Sequence, residues 1–283
     1  SMATDGIACL AGCLSSNARG YHQQQSSLYD AIEHVLLADG NGNTLDVPSL
    51  LVCGTEGMWG VILEMTLKLK KRVGQSHDLK FTGTWQELLG HLPALHKLQA
   101  LSYVIKTQDA WYLGLECDTW RMPSAISFLK MNLPDIEFIA QRPFPLMPRN
   151  KPFVMFASAF TPLQLPEVCA FALEEAGNLE VECLYTADIL AGSLQLILHA
   201  QDDDYSFSLK IERFLVRWAD FVDLKQGMLG SCHGIGLQMS PYMTPFWSEE
   251  TRRIWQSLKH SFDPKKIFGR GQFFPPAGKS LEK

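Results

Sequence analysis

The 283-residue sequence contains no uninterrupted apolar run of the roughly 18 residues that a membrane-spanning helix requires. It also opens without the charged and then apolar segment of a secretory leader, so neither a membrane span nor secretion is expected. The net charge is −5, and no basic stripe dominates the chain. The short basic cluster at residues 68–72 is interpreted as a solvated strand end, and a nucleic-acid partner is therefore not expected.

Cysteine is present in an odd number, seven, and most of the cysteines lie in apolar segments. Buried, reduced thiols are typical of cytoplasmic proteins, so we expect that location and no disulfides. The pair Cys9 and Cys13 has no second pair of ligands beside it, which argues against a zinc site. With 46% hydrophobic residues, the composition is that of an ordinary globular protein of one or two domains.

The most informative segment is a glycine-rich loop between two apolar runs. Residues 50–53 enter a Gly-x-x-Gly-x-x-Gly pattern at Gly54, Gly57 and Gly60, and residues 61–68 then alternate in character as a strand does. Glycines at this spacing let the backbone bend sharply and let a ligand approach it closely. A strand with an ordinary turn is the alternative interpretation.

Three further segments are candidates for a site. Residues 6–20 are rich in small side chains, and exposed amides in such a stretch can hold anionic oxygens. His233 lies in Ser-Cys-His-Gly-Ile-Gly, and an imidazole with a pKa near ~6.5 can accept a proton near neutral pH. Near the carboxyl end, Asp263-Pro264 closes a predicted helix. A tight turn and a structural histidine are the alternatives for the first two segments.

The middle of the chain repeats one order of elements. A strand (79–83), a helix (85–99), two strands (101–107 and 110–117) and a helix (123–132) are followed, after a proline-rich link, by a strand (153–160), a helix (163–177), two strands (180–186 and 193–199) and a helix (205–224). Two such units predict one antiparallel sheet with helices on one face. Strands are also predicted at 32–38 and 60–69, with a turn at 39–42 directly after the first of them.

These segments resemble the FAD-linked oxidases of the vanillyl-alcohol oxidase type, in particular the glycolate oxidase and D-2-hydroxy-acid dehydrogenase branch. Residues 54–62 resemble the signature G-[ST]-x-G-x-x-G-[IV]-[IV], and His233-Gly234-Ile235-Gly236 resembles E-H-G-[IV]-G without its glutamate. The resemblance implies FAD as the cofactor, His233 as the catalytic base, and Arg270 as a contact for an anionic substrate, with a surface role as the alternative for Arg270. The residues implied to bind the cofactor are Gly12, Asn17, Gly54, Thr55, Glu56, Gly57, Gly60, Val61 and Ile62.

The metal ligands of that branch are not matched. Asp188, Gln195 and Cys232 stand at the positions of its ligands, and this mixture of a carboxylate, an amide and a thiol gives no consistent metal preference. We therefore predict no metal site, and the chemistry would lack the Lewis acid that polarises a 2-hydroxy acid. Gly269 and Arg270 stand where the family has asparagine and proline.

The resemblance also implies an α+β fold. It predicts a partial FAD-binding domain of the two-subdomain type, with an inserted cap of antiparallel sheet and helices built from two ferredoxin-like units. The predicted domains are 1–72, the second part of the FAD-binding domain; 73–225, the cap; and 226–283, a segment that returns to the FAD-binding domain.

Only the later part of a family member is matched, without the subdomain that holds the FAD pyrophosphate. We expect an FAD-dependent oxidoreductase, or its subunit or fragment, that oxidises a small 2-hydroxy acid such as glycolate or D-lactate. A second polypeptide supplying the pyrophosphate site, and a homodimer, are the expected protein partners. The alternative is a non-catalytic binding or assembly subunit that keeps the fold and binds FAD weakly or not at all.

Overall fold

The computed structural model describes residues 9–18, 28–69, 74–140, 151–200, 206–231 and 234–270. Within these ranges the strands form two antiparallel sheets, one of three strands and one of eight. The predicted α+β class with antiparallel sheets is confirmed. No helix in the described ranges is both long and apolar enough to cross a membrane.

The smaller sheet has the order β2-β1-β3 and is built on a tight turn. Strands β1 (Ile32–Asp39) and β2 (Thr44–Pro48) are joined by this turn, and β3 (Gly60–Leu67) pairs with the other edge of β1. The Asp39 carboxylate accepts hydrogen bonds from the backbone N–H groups of Asn41 at 2.9 Å and Asn43 at 2.8 Å. An aspartate that bonds its own following backbone in this way fixes the turn that the sequence predicted.

The larger sheet consists of two units with the same chain path. Each unit runs strand, helix, strand, strand, helix, strand, which is the ferredoxin-like order. In the first unit the strands are β4 (Gln75–Phe81), β5 (Leu101–Lys106), β6 (Trp111–Cys117) and β7 (Glu137–Ile139), and the helices are α3 (Trp85–Leu95) and α4 (Met122–Asn132). In the second unit the strands are β8 (Phe153–Ala159), β9 (Glu182–Asp188), β10 (Ser193–His199) and β11 (Met228–Leu229), and the helices are α5 (Leu165–Asn178) and α6 (Phe207–Leu224).

The two units join edge to edge. The sheet order is β11-β8-β10-β9-β5-β6-β4-β7, so β5 and β9, the second strand of each unit, lie side by side. The junction is short, since only Ile105 and Lys106 pair across it, with Asp188 and Ala187. The repeat predicted from the sequence is therefore present as a continuous antiparallel sheet.

Two large apolar cores result, besides a small cluster formed by Tyr103, Ile105, Ala110 and Tyr112. Helices α3 to α6 all contribute to the larger core on one face of the eight-stranded sheet, where Trp218 is fully buried and donates from Nε1 to Ser158 Oγ at 3.1 Å. The smaller core lies between the three-stranded sheet, helices α1 (Leu10–Ser15) and α2 (Ser49–Val52), and helix α8 (Glu249–Phe262). The half-buried side chains of Ile235 and Trp247 pack against both cores.

The structure adds elements that the sequence did not predict. These are β2, the fourth strand of each unit (β7 and β11), and the short helices α1, α2 and α7 (Gly236–Met239), together with 3-10 turns at Leu28–Ala31, Ser240–Tyr242 and Thr244–Phe246. Strand β11 pairs with β8 just beyond the predicted cap boundary at residue 225. Two- and three-residue strands are too short to show periodicity, so only their pairing partners reveal them.

Candidate functional site

The site begins at helix α1, in the segment rich in small residues. The Cys9 thiol accepts a hydrogen bond from the exposed Gly12 N–H at 3.3 Å and so caps the start of the helix. The helix ends at Ser15, and Asn17, just beyond it, has a left-handed backbone with φ 49°. Asn17 Oδ1 accepts a hydrogen bond from the Cys53 thiol at 3.4 Å. Asparagine tolerates this backbone conformation better than most residues, which suits it to this turn.

The glycine-rich loop is fastened to the end of α1 through its backbone. The Gly54 N–H donates to Leu14 O at 3.0 Å, and the Glu56 N–H donates to Ser15 O at 2.7 Å. Thr55 is buried and its hydroxyl donates to Val52 O at 2.9 Å. The structure thus brings the predicted cofactor residues Asn17 and 54–57 into one cluster, although about 40 residues separate the two segments, while Gly12 lies on α1 and bonds within that helix.

The Glu56 side chain extends this cluster to the carboxyl-terminal part of the chain. Its carboxylate accepts hydrogen bonds from the backbone N–H groups of Ile235 and, at 2.7 Å, of Gly236. Burial raises the pKa of Glu56, and these two N–H groups offset part of that rise. A Cβ on Gly234 would come within 2.6 Å of Glu56 Oε1, so the neighbouring backbone fits against this side chain only as glycine.

Strand β3 continues directly from the loop. Gly60 lies opposite Asp39 in the sheet, and a Cβ there would collide with Ala38 O. Val61 is half-exposed at 51%, whereas Ile62 packs against the smaller core. Of these three predicted cofactor residues, Gly60 is in tight contact with neighbouring backbone, Val61 is exposed, and Ile62 packs against the smaller core.

Arg270 is exposed and lies in a separate groove of about 690 Å³. Its Nε–H donates to Lys266 O at 3.0 Å. The groove is also lined by Met58, which lies in the glycine-rich loop, and by Lys259. Within the described ranges no hydrogen bond joins Arg270 to the cluster around Glu56, so the structure places it beside that cluster and not in it.

A buried ion pair shapes that groove. Lys259 Nζ donates to Asp263 Oδ2 at 2.6 Å, to Met58 O at 2.5 Å and to Phe268 O at 2.8 Å. Asp263 is fully buried and also accepts from the Ile267 and Phe268 N–H groups. Burial alone would raise the pKa of Asp263, but these hydrogen bonds and the Lys259 charge lower it overall. The pair ties the end of α8 to the glycine-rich loop.

The predicted base, His233, and its neighbour Cys232 lie outside the described residues. The structure does place the adjoining backbone at Gly234–Gly236 against Glu56. Residues 234–236 are therefore attached to the cluster formed by Asn17 and residues 54–57. The catalytic role of His233 stays a prediction, as do the cofactor and substrate roles of the other named residues.

The two described positions of the unmatched metal site have structural partners. The Asp188 carboxylate accepts hydrogen bonds from the Leu190 and Ala191 N–H groups at 3.1 and 3.3 Å, in the turn after β9. Gln195 Nε2 lies 2.7 Å from Met155 Sδ. Among the residues that the structure describes, no group of three or more His, Cys, Asp or Glu side chains is placed to hold a metal ion.

The cluster fits a flat, largely apolar ring. No atom lies within 4 Å of a Cβ built on Gly236, and the nearest atom to one built on Gly57 is 3.9 Å away, so the backbone is open to close approach at both glycines. Val61 and Leu237, exposed at 51% and 63%, offer apolar surface beside them. The described side chains of the cluster include no cation that would hold a pyrophosphate. The fit is therefore limited to the flavin ring.

Several residues of this region were missed from the sequence. The partners of Glu56 are backbone groups 179 and 180 residues away, and no sequence pattern indicates such contacts. Lys259 and Asp263 did carry a signal, because a lysine four residues before an aspartate on a helix is a common ion-pair spacing. What the spacing could not show is that the pair is buried and reaches Met58.

Comparison with known proteins supports a likeness to FAD-linked oxidases. The family described as FAD linked oxidases, C-terminal domain, matches residues 144–273, somewhat under half of the chain. No curated protein sequence matches the chain. The likeness to FAD-linked oxidases is therefore confirmed at the level of this domain, and it supports FAD as the cofactor, whereas no particular branch is singled out.

Solved structures resemble the chain over most of its length. A crystal form of alkyldihydroxyacetonephosphate synthase matches with a TM-score of 0.62 and 12% identity, covering 91% of this chain and 56% of that one. The 4-ethylphenol oxidase from Gulosibacter chungangensis, in an isoeugenol complex, matches with a TM-score of 0.71 and 11% identity, covering 95% of this chain and 71% of that one. The chain thus spans little more than half of the synthase, and identities this low show a shared fold alone.

Proposed function

We propose that the chain is part of an FAD-dependent oxidoreductase that oxidises a small 2-hydroxy acid such as glycolate or D-lactate. The observation that carries the proposal is the convergence of the α1 end, the glycine-rich loop and the Gly234–Gly236 segment into one open, backbone-lined cluster. The family match at residues 144–273 supports the same cofactor. The substrate class rests on the resemblance of residues 54–62 and 233–236 to the hydroxy-acid branch.

In this proposal the residues of the cluster bind and orient the flavin. The backbone at Gly57 and Gly236, together with Asn17 after the end of α1, would hold the ring. Bound FAD supplies a ring that accepts a hydride from the substrate carbon. His233 takes the proton from the substrate hydroxyl, since an imidazole accepts protons near neutral pH. Arg270, in the groove lined by Met58, holds the substrate carboxylate.

The pyrophosphate of FAD needs further donors. We propose that a second polypeptide, or another part of a longer chain, supplies them, and that the assembly is cytoplasmic. Each missing hydrogen bond to a charged oxygen is worth roughly 1.5–3 kcal/mol, so the present residues alone would bind FAD more weakly than a complete site.

The test is an absorbance spectrum of the purified protein, followed by titration with FAD and with riboflavin as the matched ligand that lacks the pyrophosphate. Saturable uptake with flavin bands near ~370 and ~450 nm is expected, with FAD and riboflavin affinities within about tenfold of each other. Turnover of glycolate or D-lactate with an artificial electron acceptor then tests the substrate class. Absence of uptake of either flavin would contradict the proposal.

A non-catalytic binding or assembly subunit is the second candidate. It is favoured by Asp188 and Gln195, which replace the metal ligands of the hydroxy-acid branch and are engaged with Leu190, Ala191 and Met155. In this case the fold is retained while the chemistry is lost. Weak or absent flavin uptake, with no turnover of any hydroxy acid, would favour this candidate over the first.

A further inference from the structure

We propose that Glu56 is a positioning residue, which holds the Gly234–Gly236 segment against the glycine-rich loop. The role differs from the direct cofactor contact that the sequence predicted for Glu56, because its carboxylate is already occupied by two protein N–H groups. The expected effect on flavin binding rests on the proposed function. The contact between Glu56 and residues 234–236 does not depend on that function.

Glu56 is itself rigidly placed. Its backbone is left-handed with φ 52°, a conformation that costs a non-glycine residue of order 1–3 kcal/mol and persists only when its surroundings impose it. The surroundings here are the bond from the Glu56 N–H to Ser15 O and the buried Thr55 beside it. Unusual backbone of this kind orients the side chain away from the loop and toward residues 234–236.

The receiving segment is shaped to accept the carboxylate. Gly234 has φ 75°, and a Cβ there would lie 2.6–3.3 Å from three Glu56 side-chain atoms. The two following N–H groups, of Ile235 and Gly236, point to the two carboxylate oxygens. A carboxylate accepts two such bonds at once, whereas a glutamine amide offers one acceptor oxygen and turns an NH₂ donor toward the second N–H.

The contact lies where the two cores meet. The Ile235 side chain packs against the larger core and the smaller core, while its N–H is held by Glu56. Fixing this one residue therefore fixes the segment relative to both parts of the protein. An anchor of this kind keeps a reacting group within the small tolerance that catalysis requires.

In the described part of the chain, the pKa of Glu56 is set by burial, which raises it, and by the two N–H groups, which lower it, without a charged side chain. Because the carboxylate is needed for both bonds, the contact weakens when Glu56 is protonated. Burial raises the pKa of Glu56, so this loss begins at a higher pH than an ordinary glutamate would show. A merely space-filling residue would show no such dependence.

The experiment compares Glu56→Gln with Glu64→Gln, an exposed glutamate on β3 in the same part of the fold. Amide hydrogen exchange is measured without flavin at pH 7, and the Ile235 and Gly236 amide shifts are followed by NMR across pH. We expect exchange at these two amides to rise about tenfold or more in Glu56→Gln alone. We also expect the wild-type shifts to titrate above the ordinary glutamate range and to stay flat in Glu56→Gln.

A flavin titration adds the consequence for the site. Glu56→Gln is expected to weaken FAD binding about tenfold, with Glu64→Gln unchanged. Unchanged exchange at Ile235 and Gly236 in Glu56→Gln, or wild-type FAD affinity in that variant, would overturn the positioning role. Failure of the wild type to take up flavin would instead refute the proposed function, and the exchange and NMR results would still decide the contact.

Discussion

At the scale of single residues, Gly234 is constrained in two ways. Its left-handed backbone and the nearby Glu56 both exclude a side chain, whereas Gly236 has a left-handed backbone with open space around it. Gly236→Ala should lower the free energy of unfolding by about 1 kcal/mol through backbone strain alone. Gly234→Ala should cost roughly 2 kcal/mol more, because Glu56 must also move. Urea unfolding of the two variants measures the difference, and equal losses would show that the Glu56 contact is loose.

His233 is the residue on which the proposed chemistry depends. His233→Ala should lower the rate of hydroxy-acid oxidation by about 10²- to 10⁴-fold, the usual contribution of a general base. Flavin content should not change, because the proposed flavin contacts come from Asn17, the glycine-rich loop and the Gly236 backbone. Steady-state rates and the flavin absorbance of the same preparations provide the check. A variant with wild-type rates would remove His233 from the mechanism.

At the scale of elements, the Lys259–Asp263 pair joins the end of helix α8 to the glycine-rich loop. Asp263→Asn leaves the partly buried Lys259 ammonium without its charge partner, and we expect a loss of about 3 kcal/mol in the free energy of unfolding near neutral pH. Glu249→Gln is the matched control, since its pairs with Arg252 and Arg253 on the same helix are exposed and worth little. Urea denaturation of both variants measures the effect, and equal losses would contradict a structural role for the pair.

The same pair predicts a pH dependence. Hydrogen bonds and the Lys259 charge lower the pKa of Asp263 below its ordinary value of 3.8, so the folded state binds this proton less strongly than the unfolded state. The stabilisation by Asp263 is therefore complete above pH 3.8 and is lost as pH falls through the lowered pKa. The difference in unfolding free energy between wild type and Asp263→Asn should shrink over that acidic range. A difference that stays constant down to about pH 2 would contradict this assignment.

The elements themselves show where sequence reasoning succeeds and where it ends. The long periodic segments, such as α6 (Phe207–Leu224), were predicted within a few residues, because each carries enough apolar spacing to define its type. Strand β11 was missed, since two residues carry no period and its identity comes from pairing with β8. The cluster at Asn17 and residues 54–57 was named from its motif, but the Glu56 anchor depends on contacts across the whole chain, which local pattern does not encode.

At the scale of the whole molecule, the two larger cores contact each other through a small shared region, which we call the joint. Ile235 and Trp247 pack against both, and Glu56 holds the Ile235 backbone from the smaller core. The two ferredoxin-like units, by contrast, are joined by a continuous sheet and one large core. The two larger cores therefore meet at Ile235 and Trp247, beside the candidate site, and a ligand that binds across this region of the folded protein is expected to stabilise it.

This arrangement predicts that the joint sets the cooperativity of unfolding. In wild type, strand β1 of the small sheet and strand β10 of the large sheet should lose hydrogen-exchange protection at the same urea concentration. Ile235→Ala removes a half-buried side chain shared by both cores, so we expect a loss of about 2 kcal/mol and separate midpoints for the two strands. Ile254→Ala makes the same deletion at a site that is 61% exposed and should leave the midpoints together. Coincident midpoints in Ile235→Ala would show that the cores are coupled elsewhere. Separation that is reversed by saturating flavin would place the ligand across the joint, as the proposed site requires.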